Sequence, residues 1–189
     1  MKNTKYRRLW TRLGIPADFA QRAEQRLQPK ARRLVFIGRA RDDGRILKLT
    51  PTAARAWRKM QAAASTAGLT LLPLSAFRSV ARQTTIIRRK LARGESIEAI
   101  LRVSAVPGCS EHHTGRALDL GAPGHLALEV LFARTREFRW LRRHAADFGF
   151  HLSYPRNNRQ GIAYEPWHWC WRPDGRSGRA QGAPLRRTM

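Results

Sequence analysis

The chain has 189 residues, 42% of them hydrophobic, and its 37 lysine and arginine residues against 13 acidic ones give a net charge of +24. This length suits one domain with a sizeable core and excludes two ordinary domains joined by a linker. The hydrophobic content excludes wholesale disorder, and no run of about 18 apolar residues is present that could form a membrane-spanning helix.

The positive charge predicts an anionic partner. Nucleic acid would fit, because neutralised phosphates release counterions, and so would anionic cell-wall polymers and peptide carboxylates. A bias toward arginine codons, with no functional meaning, is an equally strong explanation. Charge alone therefore leaves the partner open.

The N-terminal segment 1–33 mixes basic and apolar residues and is expected to be a lead-in that packs on the main domain. A short helix is predicted from Ala17 to Leu27, closed by Pro29. The first residues are basic, as at the start of a secretory signal, but no apolar stretch follows before Pro16. We therefore expect a cytoplasmic location, with action at the cell wall or in the periplasm as the alternative.

Short strands and helices are predicted in turn from residue 34 onward. In chain order they are a β-hairpin over 34–49, a helix from Pro51 to Gly68 capped by Thr50, a strand over 69–77, helices over 79–92 and 96–101, a strand over 116–120, a helix from Thr135 to Gly149, and strands over 151–154 and 167–171. This pattern indicates a single α+β catalytic domain, residues 34–172, with an antiparallel sheet. The stretch 173–189 is predicted to be a disordered basic tail.

Two separated segments supply the side chains of a catalytic zinc site. Such a site takes three protein ligands and leaves a position for water, and His112, Asp119 and His168 meet that count. Strand alternation places Asp119 on the face opposite Leu118 and Leu120, so its carboxylate can face a cleft while the leucines face the core.

Glu165 lies three residues before His168 and is expected to be a general base rather than a ligand. In a straight strand this odd separation would send the two side chains to opposite faces, so the hypothesis requires Pro166 to bend the chain. Given that bend, Glu165 can take a proton from water and pass it to the leaving amine.

Cys109 and Cys170 are too few for a disulfide scaffold and lack the spacing of a zinc ribbon. Each lies close in sequence to a candidate ligand, His112 or His168. We expect two packed thiols in a reducing compartment and allow a disulfide in an oxidising one.

The motif SxHxxGxAxD at residues 110–119, followed by ExxH at residues 165–168, resembles the VanY-type zinc D-alanyl-D-alanine carboxypeptidases of the M15 peptidase family. The similarity runs from about Leu74 to Trp171 and includes the segment SAFRS at residues 75–79. Several matches in the same order over about half the chain are far more specific than one short pattern.

The resemblance implies a fold and a set of roles. The fold is a single α+β domain of the hedgehog and D,D-peptidase type, with helices packed on a small antiparallel sheet beside a zinc cleft. The implied activity is hydrolysis of the terminal D-Ala of peptidoglycan stem peptides with one Zn²⁺ ion. The implied residues are His112, Asp119 and His168 as ligands, Glu165 as catalytic base, Arg78 as the group that stabilises the oxyanion, and Ser110, Gln83 and Tyr154 as substrate contacts, Ser110 for the terminal carboxylate.

The chain departs from the family pattern at three positions. Cys109 stands where an aromatic residue is common, His113 where glutamine is common, and Cys170 is unexpected in the last strand. None of these changes removes a ligand, and they bear on the shape of the substrate pocket. His113 is expected beside the site rather than as a fourth ligand, because adjacent side chains diverge.

Three alternatives to the carboxypeptidase are kept. One is a peptidoglycan endopeptidase of the phage-lysin type, and the second is a non-catalytic zinc-binding module that binds a wall or protein partner. The third is a basic nucleic-acid-binding protein, which the zinc motif disfavours. We expect a monomer with the stem peptide as partner, with anionic cell-wall polymers as a further partner and without specific nucleic-acid recognition.

Overall fold

The computed structural model of the protein describes residues 4–41 and 43–173. The elements are, in chain order, α1 Thr4–Arg12, α2 Phe19–Arg22, β1 Val35–Arg39, β2 Ile46–Leu49, α3 Pro51–Thr66, β3 Leu72–Ser75, α4 Val80–Ala92, α5 Ile97–Arg102, β4 Ala117–Gly121, α6 Arg136–His144, β5 Phe150–Leu152 and β6 His168–Trp171. Short 3-10 turns span Glu111–Thr114, Val130–Arg134 and Ala145–Phe148. Most of the predicted tail 173–189 lies outside the described residues. None of the helices in the described ranges has the length and apolar character needed to span a bilayer.

The strands form an antiparallel sheet with the order β3-β4-β6-β5, and β1 and β2 form a separate hairpin. Strand β4 is central to the site, because it pairs with β3 on one side and with β6 on the other. In this register Asp119 lies opposite Ser75 on β3 and opposite His168 on β6. The predicted single α+β domain with an antiparallel sheet is confirmed.

The main hydrophobic core lies between the sheet and helix α3. Pro51 begins this helix directly after Thr50, as predicted, and its fixed φ suits the first helical turn. Trp57 and Met60 of α3 are fully buried with Leu118 and Leu120 of β4. Each such side chain contributes about 1.5–3 kcal/mol on burial, so this packing fixes the position of the strand that carries Asp119.

A second core joins the N-terminal segment to helices α4 and α5. Trp10 is buried there with Ile87 and Ile100, and its indole N–H donates to the carbonyl of Pro107 at 2.9 Å. Further along, the amide of Ala31 donates to the carbonyl of His113 at 2.9 Å. The N-terminal segment is therefore attached to the loop that carries His112 and His113.

The helix predicted from Ala17 to Leu27 is wrong. Only Phe19–Arg22 is helical, because Glu24 adopts a positive φ of 47° that ends the helix. The chain then follows the 105–108 loop, where the amide of Val106 donates to the side chain of Gln25 at 3.1 Å. Helix α1 was not predicted, although its apolar residues recur at helical spacing.

Cys109 and Cys170 are both free and buried. Desolvation raises the pKa of the Cys109 thiol to about 12 and that of the Cys170 thiol well above its usual value. Both thiols are therefore protonated at neutral pH and pack as small apolar groups.

Candidate metal centre and active site

The pairing of β4 with β6 forms the base of the site, and the 3-10 turn before β4 supplies the remaining ligand. Gly115 ends that turn with a φ of +65°, a conformation that L residues adopt at a cost. A Cβ at this position would lie 2.8 Å from Leu34 Cδ2. Glycine is therefore strongly favoured where the chain passes from His112 into β4.

The structure brings His112, Asp119 and His168 together. One candidate ligand atom from each lies within 4.8 Å of the others, and all three side chains are buried. Asp119 Oδ2 is 3.1 Å from His112 Nε2, and Asp119 Oδ1 is 2.9 Å from His168 Nδ1. Two nitrogens and a carboxylate converging from different elements match the donor set of a catalytic zinc site, so these residues fit one zinc ion.

The orientation of His112 is set by the backbone of the neighbouring segment. Its Nδ1 lies 2.6 Å from the carbonyl oxygen of Ala76, to which it can only donate. Nε2 is then the nitrogen left to bind a metal, and it faces Asp119. Hydrogen bonds of this kind orient a metal-binding imidazole and increase its basicity.

His168 is oriented by Glu111, a residue for which the sequence suggests no role. Nε2 of His168 lies 3.0 Å from Oε2 of Glu111, on the opposite side of the ring from Asp119. A carboxylate that accepts the far N–H of a metal-binding histidine is a common support for zinc. The motif contains this glutamate beside His112, but nothing in the sequence indicates that it pairs with a residue in the last strand.

The charges of the cluster follow from burial and these contacts. Burial lowers the pKa of His112 to about 4, so this ring is neutral at pH 7. Burial alone would also lower the pKa of His168, but hydrogen bonds to Asp119 and Glu111 raise it to about 10. Without a metal, His168 is a buried imidazolium between two carboxylates. A bound cation would take the place of its Nδ1 proton.

Glu165 lies next to the cluster on a turn. The amide of His168 donates to the carbonyl of Glu165 at 3.1 Å, and Pro166 occupies the second position of this turn, where proline is favoured. The bend predicted at Pro166 is confirmed, and it brings Glu165 Oε2 to 3.9 Å from His168 Nδ1. Desolvation raises the pKa of Glu165 to about 7. A carboxyl with this pKa can both accept and donate a proton near neutral pH.

Arg78 also contacts Asp119, with Nη2 3.6 Å from Oδ2. Its backbone amide donates to the carbonyl of His112 at 3.1 Å, and its carbonyl lies 2.6 Å from Nδ1 of His113. His113 is buried, and its Nε2 accepts the amide of Gly108 at 3.1 Å. His113 therefore connects the Arg78 segment to the metal-binding loop, and both of its ring nitrogens are engaged.

Gln83 supports the guanidinium of Arg78. Its Oε1 accepts a hydrogen bond from Arg78 Nη1 at 2.9 Å, and its Nε2 donates to the carbonyl of Ala105 at 2.8 Å. Both ends of the amide are thus occupied within the protein. The geometry shows a positioning role for Gln83, and the expected contact with substrate stays a prediction.

Ser110 and Tyr154 line the same cleft of about 490 Å³ as His112, Glu165 and Arg78. The Tyr154 ring lies 4.8 Å from the His168 ring, between centroids. Burial, followed by the nearby charge of Glu111, raises the pKa of Tyr154 well above its usual value, so its hydroxyl stays protonated. Contacts of Ser110 and Tyr154 with substrate stay predictions.

The sequence profile of the VanY family, described as D-alanyl-D-alanine carboxypeptidase, matches residues 46–174. The Bacillus subtilis protein YodJ is 35% identical over 122 residues, which cover 61% of this chain and 43% of YodJ. The chain spans less than half the length of the curated relatives it matches.

Two solved structures are similar in fold and sequence. The LD-carboxypeptidase LdcB gives a TM-score of 0.67 at 29% identity, covering 77% of this chain and 71% of that chain. A D,D-pentapeptidase VanY variant from a VanB-type vancomycin resistance cassette, in complex with Zn(II), gives a TM-score of 0.58 at 25% identity, covering 78% of this chain and 84% of that chain. The profile match extends over both zinc-site motifs and more than half of the chain, and on this basis the chain belongs to the VanY D-alanyl-D-alanine carboxypeptidase family.

Proposed function

We propose that this chain is a zinc-dependent D-alanyl-D-alanine carboxypeptidase that removes the terminal D-Ala from peptidoglycan stem peptides. The observation that carries the proposal is the position of Glu165, whose carboxylate is held by the Pro166 turn 3.9 Å from His168 Nδ1. A general base beside a three-ligand metal cluster is the arrangement that metal-assisted peptide hydrolysis requires.

His112, Asp119 and His168 would hold the zinc ion, which when bound polarises a carbonyl group and lowers the pKa of water. Glu165 accepts a proton from the attacking water and delivers it to the nitrogen of the departing D-alanine. Its pKa of about 7 suits both transfers. The protein therefore needs no second acid for the leaving group.

Arg78 supports the negative charge that develops on the former carbonyl oxygen. Its guanidinium is held by Gln83 and by Asp119, so it is oriented before the substrate binds. A donor fixed in advance stabilises the transition state more than a mobile one, because no reorganisation is needed during reaction. Ser110, buried at the cleft wall, is the proposed contact for the terminal carboxylate of the substrate.

The test is the release of D-alanine from a pentapeptide ending in D-Ala-D-Ala, by zinc-loaded protein and by its Glu165→Gln variant. We expect zinc to bind both proteins and the variant to lose nearly all activity. Glu95→Gln, at an exposed glutamate paired with Arg93, is the matched control and should retain full activity. Undiminished release by Glu165→Gln would overturn the assignment of the base.

A second candidate is cleavage of an L,D bond, which the similarity to LdcB favours. A tetrapeptide ending in D-Ala after an L-configured centre, assayed beside the pentapeptide, distinguishes the two specificities. Cleavage only inside longer cross-linked peptides would indicate an endopeptidase. Zinc binding without hydrolysis of any stem peptide would indicate a binding module.

The cytoplasmic location stays a prediction. A substrate in the mature wall would require the protein to reach the wall or the periplasm. Fractionation of cells that express the full chain, with detection by antibody, tests this point. Protein confined to the cytoplasm would direct the search for substrate to precursors made there.

A further inference from the structure

The loop that follows β4 exposes several large apolar side chains next to the cleft. Leu126, Leu128, Val130 and Leu131 are between 43% and 49% exposed. Single exposed apolar residues are common on protein surfaces, but a continuous cluster marks an interaction site. The loop leaves the sheet through an ordered turn in which the amide of His125 donates to the carbonyl of Ala122 at 2.8 Å.

This apolar loop forms one rim of the cleft. Leu126 and Leu128 line the cleft together with Val103, which is 47% exposed after helix α5. Val130 and Leu131, by contrast, are not among the residues that line it. The exposed apolar side chains of this segment are therefore not confined to the cleft.

The mouth of the cleft, beside this apolar rim, also carries basic side chains. Arg82 and Lys90 of helix α4 line the cleft, with Arg82 exposed and Lys90 half-buried. The acidic side chains that line it, among the described residues, are Asp119 and Glu165, and these are only 2% and 13% exposed. Apolar and basic groups thus share one surface, on a chain whose net charge is +24.

We propose that the mouth of the cleft docks on an anionic lipid bilayer. The exposed leucine and valine side chains of the apolar loop, residues 126–131, enter the interface between headgroups and acyl chains, and Arg82 and Lys90 contact the anionic headgroups. Glu129 of the same loop, whose side chain is 39% exposed, lies 3.2 Å from His125 Nδ1 and stays with it at the level of the headgroups. Peripheral membrane binding combines these two contributions, apolar burial and attraction of basic residues to a negative surface. A second copy of this chain would fit the positive face poorly, because like charges would meet.

Docking in this orientation places the cleft against the membrane surface. If the proposed carboxypeptidase function holds, the substrates within reach include stem peptides attached to a membrane lipid. The docking itself does not depend on that function, and its test uses no catalytic readout.

The test is flotation of the full chain with vesicles of phosphatidylglycerol and phosphatidylethanolamine, compared with vesicles of phosphatidylcholine. We expect binding to the anionic vesicles only. The double variant Leu126→Ser/Leu128→Ser should bind about tenfold more weakly or worse, since each leucine loses its apolar burial. Phe36→Ser, at an apolar side chain that is 56% exposed on β1 and does not line the cleft, is the matched control.

The role of the basic side chains at the mouth is tested with the double variant Arg82→Glu/Lys90→Glu. Its control is Arg142→Glu/Arg143→Glu on α6, which changes the net charge by the same amount at residues that do not line the cleft. The rim pair should weaken binding about tenfold or more and the α6 pair much less, because attraction to the membrane falls off within a Debye length. Equal losses in both pairs would overturn the proposal in favour of non-specific charge attraction.

Two further results would overturn it. One is undiminished vesicle binding by Leu126→Ser/Leu128→Ser, with thermal melting used to confirm that the variant is folded. The other is a dimer in vesicle-free sedimentation that this double variant disperses, which would assign the apolar loop to a second copy of the chain.

Discussion

Glu111 and His168 are joined by a 3.0 Å contact between the glutamate Oε2 and the histidine Nε2, across 57 positions of the chain. The contact leaves Nδ1 of His168 as the nitrogen that faces Asp119 and Glu165. One carboxylate thus selects which ring nitrogen can bind a metal.

Replacing Glu111 tests this support of the zinc site. Glu111→Ala should weaken zinc binding about 10–100-fold, because the imidazole loses the acceptor that orients it. Glu111→Gln keeps an acceptor oxygen without the charge, and its zinc affinity should lie between those of the unsubstituted protein and Glu111→Ala. Competition with a chromogenic chelator gives the affinities directly. Glu98→Ala, in the first turn of α5, is the control, and an equal loss there would contradict the assigned role.

Zinc binding should release a proton from His168. The pKa of this ring is raised to about 10 in the metal-free protein, so at pH 7 it is protonated and must lose its Nδ1 proton to bind a metal. Neutral pH lies below this pKa, so a proton competes with zinc for Nδ1 of His168. Each unit of rise in pH weakens that competition about tenfold, and zinc affinity near neutrality should increase by about tenfold per pH unit. Calorimetry in buffers of different ionisation enthalpy counts the protons released. A count near zero would show that His168 is already neutral.

Arg78 and Gln83 should affect turnover without affecting zinc content. Arg78→Ala removes the proposed oxyanion donor and should lower kcat about a hundredfold to a thousandfold. Gln83→Leu releases the guanidinium from its acceptor and should cause a smaller loss of kcat, which Gln83→Glu partly restores. Steady-state kinetics on the pentapeptide distinguishes this positioning role of Gln83 from a direct contact with substrate. Loss of a direct contact would mainly raise KM in both Gln83 variants.

Gly115→Ala should destabilise the fold and disturb the metal site. The positive φ costs about 1–2 kcal/mol for any L residue, and the contact with Leu34 adds about 1–3 kcal/mol. Gly124→Ala is the matched control, because Gly124 has a φ of +78° and no atom beyond its two chain neighbours lies within 4 Å of the position that the added methyl group would occupy. Urea unfolding gives the change in unfolding free energy for each of the two variants. Equal destabilisation by Gly115→Ala and Gly124→Ala would show that the contact with Leu34 relaxes freely.

Local signals in the sequence predicted most of the elements correctly. Ser79 and Thr135 cap α4 and α6 through their side chains, accepting the amides of Arg82 and Phe138. Caps and apolar periodicity depend on residues within one or two turns, so they can be recognised without a structure. The same reasoning failed for 17–27, where the contact of Gln25 with Val106 replaces a helix, because that contact spans 81 positions.

The sequence by itself predicted the chemistry proposed for this protein: the candidate ligands His112, Asp119 and His168, the candidate base Glu165, and the need for a turn at Pro166. These follow from residue types and from spacing along a strand, which are local properties. Only the tertiary structure decided that Glu111 supports His168, that Gln83 and His113 hold the Arg78 segment, and that the apolar loop shares a surface with Arg82 and Lys90. Those relations join distant parts of the chain, and the packing of α3 against β4 and the pairing of β4 with β6 create them.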